Sequence, residues 1–247
     1  MVLYLYYIVL SWRVNLKQYA ARAAEDGKMA IKIKDKIKNL NIVIGCPIGC
    51  RYCYARNNCR RFHMTDDFSV PRFFERKLRL FDTEKPQVFL LTGMSDLAFW
   101  EEEWVKKVLD KAAETPQNTY LFLTKRPERL NIDTKLDNLW FGVTVTCAAE
   151  RGRILSLREN VRAKHYHATF EPLSDGVGEV DLHGIDWVVI GTETGNCKGK
   201  VSTKKSWADG LSGQARALGI PVFMKEDLAG IVPEGEMIQQ FPEEFKL

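Results

Sequence analysis

Seven short apolar runs punctuate the chain, at residues 41–44, 88–91, 120–123, 140–145, 167–170, 187–190 and 222–224. Most are rich in Val, Ile and aromatic residues and lack the alternation of a strand with one wet face. Runs of that kind suit strands covered on both sides, as in a parallel sheet. The stretches between them carry helical signals. Residues 101–114, EEEWVKKVLDKAAE, open with acids and turn basic, which complements a helix dipole. Trp104, Val108 and Ala112 fall on one stripe of that helix, with Val105 and Leu109 beside it. Residues 204–219 end at Gly219, with Pro221 just beyond, a helix stop. Residues 71–81 start with Pro71, which suits the first turn of a helix.

Strands alternating with helices predict repeated βα units and right-handed crossovers. A chain of 247 residues whose N-terminal segment lies outside the pattern falls short of a closed eight-stranded barrel of roughly 250 residues. The expected fold is α/β: a partial (β/α)6 TIM-like barrel with parallel strands. We expect one domain, with residues 1–40 as an N-terminal extension, 41–230 as the barrel core and 231–247 as a tail. The opening run, MVLYLYYIVLSW, is too short to cross a bilayer as a helix. It also lacks the basic start and small-residue cleavage site of a signal peptide. Read as a buried strand or helix, it leaves a cytoplasmic protein with no membrane partner.

Composition alters this little. Apolar content of 45 % and charged content of 28 % are those of an ordinary globular chain. The net charge of +4 permits an anionic substrate but is weak support for a nucleic-acid partner. The cysteines change the picture more. Cys46, Cys50, Cys53 and Cys59 lie within fourteen residues, directly after the first apolar run. Bunched thiols in a chain of this length point to metal rather than to a disulfide framework. Three sites are compatible with them. Zinc would take a fourth ligand from Cys59 or His63, although the C-x3-C-x2-C spacing is not a pair of CxxC knuckles. A fully ligated four-iron cluster would use Cys59 as its fourth thiolate. A [4Fe–4S] cluster on three thiolates would leave one iron open.

In a parallel βα fold, ligands bind beyond the C-terminal ends of the strands. Polar residues follow every run here: the cysteine loop, then TGMSD, TKR, TVTC, EPL, GTETG and KED. Glu171, Glu193, Lys225, Glu226 and Asp227 follow late strands, with Lys125 and Arg126 after the third. Singly each is an ordinary surface charge. Grouped at one barrel mouth, they make candidates for a polar substrate pocket, with Glu171, Glu193, Lys225 and Asp227 as catalytic candidates.

Cys46-Pro-Ile-Gly-Cys50-Arg-Tyr52-Cys53 resembles the signature of the radical S-adenosylmethionine (SAM) superfamily. Blocks from residue 41 to about 242 look like a phage-associated branch distantly similar to spore photoproduct lyase. The resemblance implies a [4Fe–4S] cluster on Cys46, Cys50 and Cys53, with Tyr52 beside it. Its open iron would chelate the amino and carboxylate groups of SAM. One-electron cleavage would then give a 5′-deoxyadenosyl radical that abstracts hydrogen from the substrate. Carried over by position, Thr92, Gly93, Met94, Ser95 and Asp96 match the SAM amino site, departing from the common Gly-Gly-Glu form. Thr144 and Thr146 match the ribose contact, Gly191 the adenine approach, and Thr124 another cofactor-facing strand end. A flavodoxin or ferredoxin is the reductant implied.

The implied chemistry is a lyase reaction on a polar, purine-like small molecule. Size and a compact barrel resemble the enzymes that cleave queuine to 7-aminomethyl-7-deazaguanine in queuosine salvage. A carboxylate from Glu171, Glu193 or Asp227 would accept from a guanine-like edge. Two other classes stay open. One is nucleic-acid repair or modification of the photoproduct lyase type, with Arg51, Arg56, Arg60 and Arg61 on phosphates and Cys147 as a hydrogen donor. The other is a non-enzymatic iron–sulfur redox protein, which would have no use for a polar pocket.

Overall fold

The computed structural model describes residues 30–195 and 199–245. Among these residues the strands are β1 (Ile37–Asn39), β2 (Val43–Ile44), β3 (Arg72–Phe73), β4 (Val88–Leu90), β5 (Thr119–Thr124), β6 (Ile132–Asp133), β7 (Leu139–Thr144), β8 (Val161–Arg162), β9 (His165–Phe170), β10 (Trp187–Ile190) and β11 (Val222–Met224). The helices are α1 (Tyr54–Phe62), α2 (Glu102–Glu114), α3 (Gly152–Asn160) and α4 (Lys205–Ala217). Seven strands form one sheet in the order β1-β4-β5-β7-β9-β10-β11. Every pair in it is parallel. The sheet curls into a half-barrel, the partial TIM-like architecture expected.

The outer face packs on the helices through a large apolar core that includes Phe122, Phe141, Phe170 and Ile190 from the strands and Val108, Ile154 and Leu211 from the helices. The inner face is apolar in its lower half. Ile37, Val88, Leu121, Trp140, Trp187 and Phe223 form a second core there, with Phe245 packed into it. The Phe245 ring lies edge-on to Trp140 at 4.8 Å and to Trp187 at 5.2 Å. Residues 241–245 therefore plug the bottom of the half-barrel. The gap between the two edge strands is bridged by Gln239. Its Oε1 accepts from the Ile31 N–H at 2.7 Å, and its Nε2 donates to the Ile31 and Met224 carbonyls.

Two expected elements differ. The run at 41–44 is not a strand of the main sheet. Its last two residues, β2, pair antiparallel with β3 in a separate ribbon. The first strand of the main sheet is instead β1, whose Ile-Lys-Asn sequence carries too little apolar signal to be picked out. The expected helix at 71–81 is β3 followed by a 3-10 turn over Glu75–Phe81. Tertiary pairing overrides propensity here, since the Phe74 N–H bonds the Ile42 carbonyl at 2.8 Å and Phe73 stacks on Trp104 at 5.8 Å. The other two expected helices are present as α2 and α4, the latter followed by Gly219 at a left-handed φ of 73°. No helix among the described residues is long and apolar enough to cross a membrane. The opening apolar run and Cys197 lie outside the described residues.

Candidate active site

The upper half of the inner face encloses a cavity of about 440 Å³. The cysteine loop forms one wall. Gly45 enters the loop at a φ of 120°, and a Cβ there would stand 2.5 Å from the Val70 carbonyl oxygen, so a side chain cannot be placed. The Gly45 and Cys46 N–H groups bond the carbonyls of Met94 and Phe68. Cys53 is the N-cap of α1, with its sulfur accepting from the Arg56 N–H at 3.4 Å. Cys46, Cys50 and Cys53 are free, half-buried and line the cavity. Burial pushes the Cys46 thiol up to about 11. A bare thiol there stays protonated at neutral pH, whereas a coordinating cation would deprotonate it.

Neither suggested fourth ligand joins them. Cys59 is 1 % exposed and packs behind the loop with Ile44, Ala55 and Phe68. Its sulfur lies 3.0 Å from the Thr65 hydroxyl. His63 is the exposed C-cap of α1, at a left-handed φ of 48°. Neither lines the cavity. Among the described residues, no three His, Cys, Asp or Glu side chains converge closely enough to hold a single ion. The donor set is thus three soft sulfurs on one wall that do not meet at a point. That suits a cluster, in which each thiolate takes its own iron, better than tetrahedral zinc.

The loop after β4 faces this wall. Thr92, Gly93, Met94, Ser95 and Asp96 all line the cavity. The Tyr54 hydroxyl donates to the Gly93 carbonyl at 2.7 Å and ties α1 to this loop. Asp96 is less available than its position suggested. Its Oδ1 accepts from the Thr124 hydroxyl at 2.6 Å and the Ala98 N–H at 3.1 Å, and its Oδ2 accepts from the Lys125 N–H at 2.8 Å. Asp96 and Thr124 therefore lock the ends of β4 and β5 together. Likewise the Ser95 hydroxyl accepts from the Trp100 indole, and the Thr92 hydroxyl accepts from the Leu123 N–H. What this loop offers a ligand is mainly its backbone.

Thr144 and Tyr52 also line the cavity. Burial, then the neighbouring Cys50 and Glu150, hold the Tyr52 phenol above its ordinary range. Thr146, Gly191, Thr124 and Asp227 stand one step back from the lining. The Thr146 hydroxyl and N–H both donate to Glu150. Gly191 provides clearance: a Cβ there would lie 3.0 Å from Glu171 Cγ and 3.1 Å from Lys225 Cδ.

Across Gly191, the Lys225 ammonium bonds Glu171 Oε1 directly and stands 3.7 Å from Asp227. Burial works against the Lys225 charge, but Glu171 and Asp227 outweigh it and hold its pKa above the usual value. Burial pushes the Asp227 carboxyl up to about 6, with Lys225 opposing and Glu171 adding to the rise. A carboxyl whose pKa is higher folded than unfolded costs stability once it ionises. That cost is absent below the ordinary value near 3.8 and complete above about 6. Asp227→Asn is therefore expected to stabilise the protein at pH 7 by on the order of 1–3 kcal/mol, with the gain vanishing by pH 4. Chemical denaturation of both proteins at the two pH values checks this.

Two further lining residues carry buried polar atoms without a protein partner. Glu193 is 2 % exposed; its Oε2 accepts from Arg51 at 2.9 Å and from the Val201 N–H at 3.3 Å, while its Oε1 is unpartnered. His167 is 1 % exposed, and its Nδ1 is unpartnered. Sequence reasoning did not single out His167. The signal was the alternation His165, His167, Thr169, Glu171 against Tyr166, Ala168, Phe170, which gives β9 one polar face. Glu171, Glu193, Lys225 and the three cysteines thus share one cavity, with Asp227 attached through Lys225.

Comparison with known proteins adds the following. No curated protein matches the chain. Two solved structures are similar: spore photoproduct lyase complexed with dinucleoside spore photoproduct, and a cysteine-to-alanine mutant of that lyase with the same dinucleoside. They are 10 % and 11 % identical, with TM-scores of 0.42 and 0.43. Each match covers 72 % of this chain and 60 % of the other, so the chain spans less than two thirds of their length. Residues 30–232 match the family described as protein of unknown function DUF5131, and the chain belongs to that family.

Proposed function

We propose that this protein is a radical SAM enzyme with lyase chemistry on a polar, purine-like substrate. One observation carries the reading. Three free thiols of a C-x3-C-x2-C loop line the mouth of the same half-barrel cavity as the Glu171–Lys225 pair and Glu193. Cys46, Cys50 and Cys53 would hold a [4Fe–4S] cluster, and the backbone of residues 92–96 with Thr144 would hold SAM. When bound, that pair supplies a carbon radical that abstracts hydrogen from the substrate. The chain's own part is positioning. Tyr54 fixes the loop after β4 against α1 through its bond to the Gly93 carbonyl. Lys225 and Glu171 present a charge pair to the substrate's polar groups, with Asp227 able to exchange a proton near neutral pH. The finer assignment is queuine as substrate and 7-aminomethyl-7-deazaguanine as product. It is supported by the carboxylates of Glu171 and Glu193 in the cavity lining, the kind of group that accepts from a ring N–H and an exocyclic amine.

A second reading, modification of nucleic acid, is favoured by α1. Arg60 and Arg61 lie in its last turn, Arg56 precedes them, and Phe62 beside them is 62 % exposed. The experiment is an anaerobic assay of iron-reconstituted, reduced protein with SAM. We expect release of methionine and 5′-deoxyadenosine, stimulated by queuine. SAM left intact by fully iron-loaded protein would overturn the radical SAM reading. Stimulation by duplex DNA, with affinity falling steeply in salt, would replace the small-molecule substrate with the second reading.

A further inference from the structure

The inner face of β1 carries one polar side chain. Ile37 packs into the lower core on that face. Alternate residues of a strand share a face, so Asn39 points the same way, roughly 7 Å further toward the mouth. Asn39 is exposed and lines the cavity. Its side-chain amide makes no hydrogen bond among the described residues.

Asn39 stands beside the loop after β4. A Cβ on Gly93 would lie 3.1 Å from Asn39 Oδ1 and 2.9 Å from Asn41 Oδ1, so the glycine gives both amides their place. The two differ in access. Asn41 Oδ1 is buried without a partner, and Asn41 is not part of the cavity lining, whereas Asn39 is. The loop itself has few acceptors to spare. Its carbonyls at Thr92, Met94 and Asp96 already accept from the N–H groups of Ser95, Gly45 and Phe99, and its Gly93 carbonyl accepts from the Tyr54 hydroxyl. Both oxygens of the Asp96 carboxylate are occupied as well. An amino group donates, so backbone N–H groups cannot hold it; it needs acceptors.

We propose that the Asn39 amide oxygen accepts a hydrogen bond from the amino group of SAM. Beside Gly93, Asn39 presents a side-chain acceptor that is both uncommitted and open to the cavity. The strand before the cysteine loop thereby supplies the acceptor that residues 92–96 have spent on their own fold. This deepens the proposed function, on whose placing of SAM against residues 92–96 it rests. Asn39 is a binding residue for the amino-acid end of SAM and has no part in the bond cleavage.

Two substitutions and two ligands separate an acceptor from a merely structural side chain. Asn39→Ala removes the acceptor, and Asn39→Asp replaces it with a stronger one that cannot donate. Anaerobic calorimetry would titrate SAM, and 5′-methylthioadenosine, which lacks the amino-acid end, into iron-reconstituted protein. The expected result is that Asn39→Ala weakens SAM binding by roughly 10- to 100-fold, while Asn39→Asp binds SAM within a few-fold of wild type or more tightly. Iron content and the affinity for 5′-methylthioadenosine are expected to be the same in all three proteins. Full SAM affinity in Asn39→Ala, SAM binding no tighter in Asn39→Asp than in Asn39→Ala, or a loss shared by 5′-methylthioadenosine would each overturn the assignment alone. Iron-loaded wild type that binds no SAM would overturn it together with the radical SAM reading. The expected binding pattern in a protein that never cleaves SAM would instead overturn the radical chemistry and leave the Asn39 contact standing.

Discussion

Changing Cys46, Cys50 or Cys53 to Ala is expected to remove iron and abolish SAM cleavage, whereas Cys59→Ala leaves both in place. The separation follows from where the four sulfurs stand. The first three line the cavity, and among the described residues no other cysteine does. Cys59 lies behind the loop against the Thr65 hydroxyl, walled in by Ala55 and Phe68. Its loss leaves a small void and an unpaired threonine hydroxyl, a stability cost on the order of 1 kcal/mol. Iron and sulfide content of anaerobically reconstituted variants, with product release from SAM, checks both halves. Iron loss in Cys59→Ala would bring that residue into the ligand set.

Lys225→Met is expected to cost about 3–5 kcal/mol at pH 7, the range for removing one member of a buried ion pair. The Lys225 side chain is 18 % exposed, and the carboxylates of Glu171 and Asp227, at 28 % and 15 %, would face each other without a cation. The cost has a pH signature. Asp227 already holds its proton to about pH 6 in the presence of Lys225. Without the ammonium that opposes its rise, Asp227 binds its proton still more tightly folded than unfolded, so the penalty shrinks as the solution is acidified. Adding Glu171→Gln to Lys225→Met should recover much of the loss, because the repulsion between two carboxylates left without a cation is then removed. Denaturant unfolding of single and double variants from pH 5 to pH 8 measures this. Additive losses in the double variant would mean that the two side chains are energetically independent.

The architecture was largely legible in the sequence because strand burial leaves a plain trace. Buried β-branched and aromatic runs gave six of the seven sheet strands. The seventh, β1, is an edge strand of Ile, Lys and Asn, half wet and therefore almost silent. The run at 41–44 looked like a sheet strand because burial was read as sheet membership. Ile42, Val43 and Ile44 are indeed buried, but the last two belong to a two-residue ribbon strand that leads into the cysteine loop. Residues 71–81 carried a helix start signal at Pro71 that pairing with β2 overrode.

The candidate site was legible where spacing encodes it, as in the cysteine loop. Strand-end positions also located most of the cavity lining, since a parallel half-barrel brings those ends together whatever the side chains. Sequence could not tell which of those side chains are already committed. Asp96 looks like a ligand until its three hydrogen bonds from Thr124, Ala98 and Lys125 are seen. Gly191 serves as clearance for Lys225 and Glu171. His167 depends on the absence of a side chain at Gly142 on the neighbouring strand, a pairing set by register rather than by local sequence.

The central claim is a four-iron cluster with one corner held by no protein sulfur. Mössbauer spectroscopy of iron-enriched, oxygen-free protein, recorded before and after adding SAM, tests it most directly. The account predicts that one iron site changes its spectrum on SAM addition while the other sites stay as they were. Four iron sites that all ignore SAM, or zinc in place of iron, would contradict it.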